Sequence, residues 1–268
     1  MQRSRLGAIA LGTSALLGAA LASPALAATD SDIPSFQEFH ASTFKDADQQ
    51  YIVDGDVPVA DTGQLREFYD RLVGPETQKD GLIVNTVGGA DDKWSTAQVG
   101  NLTYCVSDKF GANKAGIVNA MNGGGGLWEG ASSKINFVYV PSQDASCTTR
   151  NNNVLFSVEP VQTTQHIARA FFPSTPNRSR NVLVDDSIWT SGSWTPSNIL
   201  AHELGHALGF RHEHTRPEAG TCFEDNNWRP LTPYDSASIM HYPQCNGSSS
   251  NLSMTNTDRQ GAVALYGS

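Results

Sequence analysis

The sequence predicts an α+β domain, and three observations predict it. Short runs of β-branched, aromatic and aliphatic residues recur at 101–107, 135–140, 154–158, 167–172 and 182–184, with the length and composition of strands. A helix is signalled later, with Thr195 as N-cap, Pro196 at the first helical position and Gly209 as the stop after Leu208. From His212 onward regular patterning is sparse until residues 258–266, which read as a terminal helix capped by Thr257.

The other elements follow in order. Residues 1–27 carry Arg3 and Arg5, an apolar run over 6–22, the breakers Ser23 and Pro24, and Ala25-Leu26-Ala27 as a small-x-small cleavage site. That pattern is a signal peptide, removed on export. No second apolar run is long enough for a membrane span, so no membrane partner is expected after its cleavage. Residues 28–92 hold 14 acidic and 4 basic residues, whereas 93–268 hold 13 and 12. The acidic stretch reads as a propeptide, with a helix at 64–73 (Leu65, Phe68, Tyr69 and Leu72 in helical spacing) and a linker at 77–93. Residues 93–268 are then the folded domain. Within it, 112–121 reads as a helix closed by the four glycines Gly123 to Gly126.

The whole chain has 268 residues, a net charge of −9 and 39% hydrophobic residues, a globular composition. The charge excludes a basic nucleic-acid binder. All four cysteines, Cys105, Cys147, Cys222 and Cys245, follow the signal, and an even count in an exported chain points to disulfides. Three pairings are possible, of which the expected one joins them in chain order.

The chemistry is concentrated on the late helix. Five of the seven histidines fall between 202 and 241. His202 and His206 are four residues apart, so both imidazoles project from one helical face and can chelate Zn²⁺, with Glu203 on the neighbouring edge. Gly209 can turn the chain back so that His212 reaches the same ion. Three protein ligands leave a fourth position for water, the arrangement of a catalytic zinc, whose bound water has a pKa lowered towards ~7. Glu203 is placed to take that water's proton and pass it to the leaving amine.

The pattern His202-Glu203-x-x-His206-x-x-Gly209-x-x-His212 resembles the zinc signature of the metzincin metalloproteases. Ser238-Ile239-Met240-His241-Tyr242 resembles their Met-turn in the form found in astacins, and Glu213 after the third histidine is similar too. The chain is similar to a compact bacterial branch of astacin-like enzymes and to the HEIGH-motif metallopeptidases. It departs from typical astacins in having only 27 residues between His212 and Met240.

The resemblance covers roughly residue 94 to the end. It implies a zincin catalytic domain with a twisted, mostly parallel sheet, a backing helix, a zinc helix, and an irregular C-terminal subdomain ending in a helix. It makes Met240 the hydrophobic floor under the metal and Tyr242 a displaceable fifth ligand that stabilises the oxyanion. It gives Glu213 one of two tasks, holding the start of the mature chain or locking the Met-turn. His214 and His241 are left as supporting residues.

Val53-Asp54-Gly55-Asp56-Val57 resembles the propeptide motif in which an aspartate occupies the catalytic zinc, here Asp56, so that the propeptide is the enzyme's own inhibitor. In the related fold a peptide pairs with the edge strand before the zinc helix, for which 166–172 is the candidate.

The expected function is a secreted zinc endopeptidase, extracellular or periplasmic, acting on proteins or peptides and made as a zymogen. A catalytically inactive or binding-only relative and a zinc amidase acting on cell-wall peptides are the competing functions.

Overall fold

The computed structural model describes residues 34–73 and 82–268. The signal-peptide assignment over 1–27 and part of the linker assignment, 77–81, lie outside the described residues.

The acidic N-terminal segment has regular structure and a small core. Helix α1 (Phe36–Ser42) starts with a reciprocal cap: the Ser35 hydroxyl accepts from the Glu38 amide, and the Glu38 carboxylate accepts from the Ser35 amide. Strands β1 (Phe44–Lys45), β2 (Tyr51–Val53) and β3 (Val57–Val59) form an antiparallel meander. The β2–β3 turn passes through left-handed Asp54 and Gly55, at φ 54° and 92°. Helix α2 (Thr62–Leu72) lays Leu65 and Phe68 on Tyr51, Val53 and Val57, and Phe172 from the main body packs against the same cluster.

The linker expectation fails for the residues that follow. Strands β4 (Ile83–Val87) and β5 (Ala90–Asp91) form a hairpin through Gly88 and Gly89. Leu82, Ile83 and Val84 are almost wholly buried, and Val84 bridges Phe210. Counting charge hid this: three consecutive apolar side chains outweigh the acidic residues that flank them.

Helix α3 (Thr96–Val99) and strand β6 (Leu102–Val106) lead to helix α4 (Lys114–Glu129). This helix runs straight through Gly123 to Gly126 instead of ending there. Tertiary packing overrides the low helix propensity of glycine. A Cβ on Gly124 would lie 2.8 Å from the Ala201 nitrogen, so glycine is what lets two helices approach this closely. Trp128, one turn later, donates its indole N–H to the Ala201 carbonyl at 2.7 Å.

Strands β7 (Phe137–Tyr139), β8 (Phe156–Val161), β9 (Ala168–Arg169) and β10 (Asn181–Asp185) complete a five-stranded sheet in the order β7-β6-β8-β10-β9. Every pair is parallel except β9–β10, which leaves antiparallel β9 at an edge. Val106, Val158, Val182 and Val184 belong to one core with Met121 and Trp128 of α4 and with Leu200, Ala201 and Leu204 of α5 (Pro196–Ala207). The mostly parallel sheet with a backing helix and a second helix is therefore present.

Beyond α5 regular structure is reduced to strand β11 (Trp228–Pro230), which pairs with β4, short 3-10 turns, and helix α6 (Asn256–Tyr266). Thr255, not Thr257, caps α6, in a reciprocal box with Asp258. Disulfides join Cys105 to Cys147 and Cys222 to Cys245, the chain-order pairing. Among the described residues no helix is long and apolar enough to cross a membrane.

The packing of α4 separates two glycines that propensity treats alike. Gly126 has open space around its Cβ position, so Gly126→Ala should stabilise the fold by about 0.5–1 kcal/mol. Gly124→Ala should destabilise it by about 1–3 kcal/mol, because the new methyl meets backbone that cannot yield. Chemical denaturation of both variants reads the two signs; stabilisation by both would refute close helix packing at Gly124.

Candidate metal centre

The centre begins with the cap of α5. Thr195 accepts a hydrogen bond from the Asn198 amide at 3.2 Å, and Pro196 fills the first helical position. His202 and His206 then share the buried face of the helix. At the far end Gly209 adopts φ 100°, and a Cβ there would run into the carbonyl oxygen of Asp92. Only glycine satisfies both conditions, and the turn it makes delivers His212 back to the helix.

Each of the three imidazoles is oriented by its Nδ1. That of His202 donates to the Ile239 carbonyl at 2.7 Å, and that of His206 to the Phe210 carbonyl at 2.8 Å. That of His212 faces the Glu224 carboxylate at 2.8 Å. A nitrogen facing a carbonyl or carboxylate oxygen carries a proton, so Nε2 is the atom at which each imidazole, when neutral, offers its lone pair. The three Nε2 atoms converge, with His212 Nε2 3.2 Å from both of the others. In their neutral forms the three would aim lone pairs at one point, and a cation there removes the repulsion between them. The donor set therefore fits a divalent metal, and an all-nitrogen set of three fits Zn²⁺.

Asp56 is the fourth member. Its carboxylate lies 3.4 Å from His202 Nε2, 3.7 Å from His206 Nε2 and 3.3 Å from His212 Nε2. The Tyr242 hydroxyl donates to the same carboxylate at 2.5 Å. Asp56 follows the β2–β3 turn, where a Cβ on Gly55 would lie 3.4 Å from the Tyr242 hydroxyl. Burial raises Asp56, but the charges of His212 and His206 and hydrogen bonds from His202 and His206 outweigh it and hold the carboxyl well below its usual range. Burial and the charge of Asp56 push the Tyr242 phenol well up, so it stays a donor. Burial lowers His206 to about 4, against the pull of Asp56.

Glu203 is buried beside this cluster, and its Oε2 has no hydrogen-bond partner among the described residues. Burial first, then the negative charge of Asp56, raises its carboxyl well above the ordinary range, with His212 and Arg169 acting in the opposite direction. Met240 is fully buried against α5: a Cβ on Gly205 would collide with its sulfur. Its turn is tied to α6, because Asp258 accepts from the Ser238 hydroxyl at 2.5 Å and the Ile239 amide at 2.9 Å.

Glu213 is also buried. It donates its amide to the Met240 carbonyl at 2.8 Å, and its side chain accepts from Arg216 and from the Asp235 amide, each at 3.1 Å. Burial, opposed by Arg216, pushes its carboxyl up to about 8. His214 accepts from the Tyr242 amide at 3.2 Å, while His241 donates to the Tyr242 carbonyl and accepts from the Tyr234 hydroxyl. Both thus fix the backbone and surroundings of Tyr242.

The edge strand β9 borders this cluster and is shorter than the 166–172 run. A cavity of about 270 Å³ lies between it and α5, where Ile167, Trp194, Ile199 and Leu252 make an apolar wall next to Glu203 and Asp56. Two carboxylates were not legible as members of the site. Glu224 holds His212 by Nδ1 and is itself held by Arg211 at 2.5 Å, and Asp258 supports the Met-turn. Glu224 stands in an irregular loop after Cys222, with no periodic or motif signal to mark it. Asp54 adds a third: its carboxylate also accepts from His212 Nδ1, at 2.5 Å, and burial and the charge of Glu224 raise it well above its usual range.

The chain is similar to several known proteins. The family model described as Matrixin, of the Peptidase_M10 type, matches residues 93–219. High choriolytic enzyme 2 of Oryzias latipes is 40% identical over 63 residues, 17% of this chain and 22% of that protein. Zinc metalloproteinase nas-30 of Caenorhabditis elegans is 40% identical over 63 residues, 16% of this chain and 8% of that protein. The chain thus spans about a fifth or less of the length of these relatives. Among solved structures, myroilysin aligns at 20% identity and a TM-score of 0.44, over 65% of this chain and 95% of that one. Residues 93–219, which include the three histidines, are thus similar to the Matrixin family model, and a short stretch of the chain is similar to zinc metalloproteinase nas-30.

Proposed function

We propose that this chain is a secreted zinc endopeptidase made as a zymogen, with His202, His206 and His212 as metal ligands and Glu203 as general base. The observation that carries the proposal is the convergence of three Nε2 lone pairs with the carboxylate of Asp56 lodged among them and Glu203 alongside. Bound by the three imidazoles, a zinc ion would lower the pKa of a water molecule and polarise the scissile carbonyl. Glu203, buried and beside that position, takes the water's proton and returns it to the leaving amine. Once Asp56 has left, the Tyr242 phenol is free to donate to the oxyanion. Met240 closes the floor, and Glu213 locks the Met-turn through its amide.

The substrate is a protein or peptide laid along β9, and the apolar cavity accepts a side chain next to the scissile bond. Residues 1–27 act as the signal for export to the periplasm or medium. The inhibitory propeptide begins at 28. The burial of Leu82, Ile83 and Val84 and the pairing of β4 with β11 support a boundary before residue 82 rather than at 92.

Three measurements test this. Glu203→Ala should lower kcat/KM on a mixed peptide library by about 10²–10⁴-fold while retaining about one zinc per chain; undiminished cleavage would remove Glu203 from the mechanism. Glu224→Gln should weaken zinc binding about 10–100-fold in competition with a chelator, since it loosens the grip on His212. Asp56→Ala should make the uncut chain cleave peptides that the uncut parent does not, and silence of that variant with zinc bound would mean that the block lies elsewhere.

A further inference from the structure

The N-terminal segment is held to the edge strand by a buried ion pair that the proposed chemistry does not use. Arg169 of β9 has no exposed surface. Its Nε and Nη2 donate to one oxygen of Asp46 at 3.0 and 2.7 Å, and Nη2 also donates to Asp48 at 3.0 Å. Its Nη1 donates to the Asn181 side-chain oxygen at 2.6 Å, and the Asn181 amide nitrogen donates to Asp48 at 2.7 Å. The carboxylates come from the acidic segment, whereas the guanidinium and the amide come from the sheet. When the segment leaves, the guanidinium of Arg169 loses both of its carboxylate partners. Donors fixed by the sheet then face the place where the carboxylates lay.

That place lies along the proposed path of a substrate. Residues 165–168, just before Arg169, line the cavity that holds Asp56 and Glu203. A peptide pairing with β9 would put every second side chain on the sheet face that carries Arg169 and its cross-strand partner Leu183. We propose that Arg169 and Asn181 form a carboxylate-binding subsite, filled by Asp46 and Asp48 in the intact chain, that selects peptide substrates with an acidic side chain on that face. This rests on the zymogen endopeptidase function and adds a substrate class to it. A competing fate for the freed guanidinium is Glu159 of β8, on the far side of β10, which accepts a hydrogen bond from the Ser157 hydroxyl at 2.7 Å.

The test uses the full chain, folded with zinc and then processed by itself or by limited proteolysis. Matched peptides carrying Asp or Asn at each position around the cleavage site are compared. The expected result is a preference of about tenfold in kcat/KM for Asp at one position, lost in Arg169→Gln and reversed towards Lys in Arg169→Glu. A second readout needs neither turnover nor a protein variant. A synthetic peptide of residues 43–60 should bind the processed protein about tenfold more tightly than the same peptide with Asp46→Asn and Asp48→Asn. Equal cleavage of Asp and Asn peptides at every position, as capture of Arg169 by Glu159 would produce, overturns the subsite and leaves the protease intact. Equal binding of the two peptides overturns it as well. Absence of any cleavage with zinc bound overturns the endopeptidase, and the peptide-binding comparison then decides the subsite alone.

Discussion

Three Nδ1–H groups decide what this molecule can do. Each imidazole is held at its outer nitrogen, so the three inner nitrogens are the ones that converge at one point. The acceptors of those three protons come from three separate parts of the fold. Ile239 belongs to the turn that Asp258 pins to the last helix. Phe210 follows the Gly209 turn and bridges β4. Glu224 lies in the stretch that the Cys222–Cys245 disulfide ties down. The sheet and the two long helices supply the rigid wall, but the metal geometry depends on the irregular part of the chain, which has little regular structure of its own. Buried hydrogen bonds and a covalent bond replace the ladder there.

The balance of charge around His212 follows from the same constraint. One imidazole faces Glu224 and Asp54 at Nδ1 and Asp56 at Nε2, and these carboxylates hold it well above its ordinary pKa despite burial. Two of the three belong to the N-terminal segment. The third, Glu224, belongs to the body of the domain and holds the outer nitrogen of His212. The acidity of residues 28–92, which composition registers only as a net charge, is thus spent at particular atoms: Asp56 at the centre, Asp54 behind it and Asp46 with Asp48 at the edge strand.

Much of this was legible in the chain. The cap and stop of α5 and the spacing of His202, His206 and His212 mark one turn of helix and one glycine turn, and local chemistry decides both. The strands at 102–106 and 181–185 carry their own β-branched signal. The glycines of α4 were misleading, because their low propensity is local while the reason for them, the approach of α5, is not. β4 was hidden among acidic neighbours for a similar reason: besides the adjoining β5, its partners are Phe210 and β11, more than a hundred residues away. Glu224 and Asp258 could not be picked out, since a lone acid in an irregular stretch acquires meaning only from what it touches.

The hold of the N-terminal segment on the body cannot rest on its carboxylates alone. A buried ion pair such as Arg169–Asp46 sacrifices the hydration of both charges, so its net contribution to affinity is small, whereas removing one partner is severe. The apolar contact is the steadier source: Leu65, Phe68, Tyr51, Val53 and Val57 bury one another, and Phe172 of the body closes the cluster. Burial provides the adhesion but is indifferent to register. The ion pairs are the opposite, weak in net attraction and strict in position, because a carboxylate displaced from Arg169 or from the histidines leaves a buried charge unpaired. Adhesion from the small core and register from the acids together place Asp56 among three imidazoles, and neither would do so without the other.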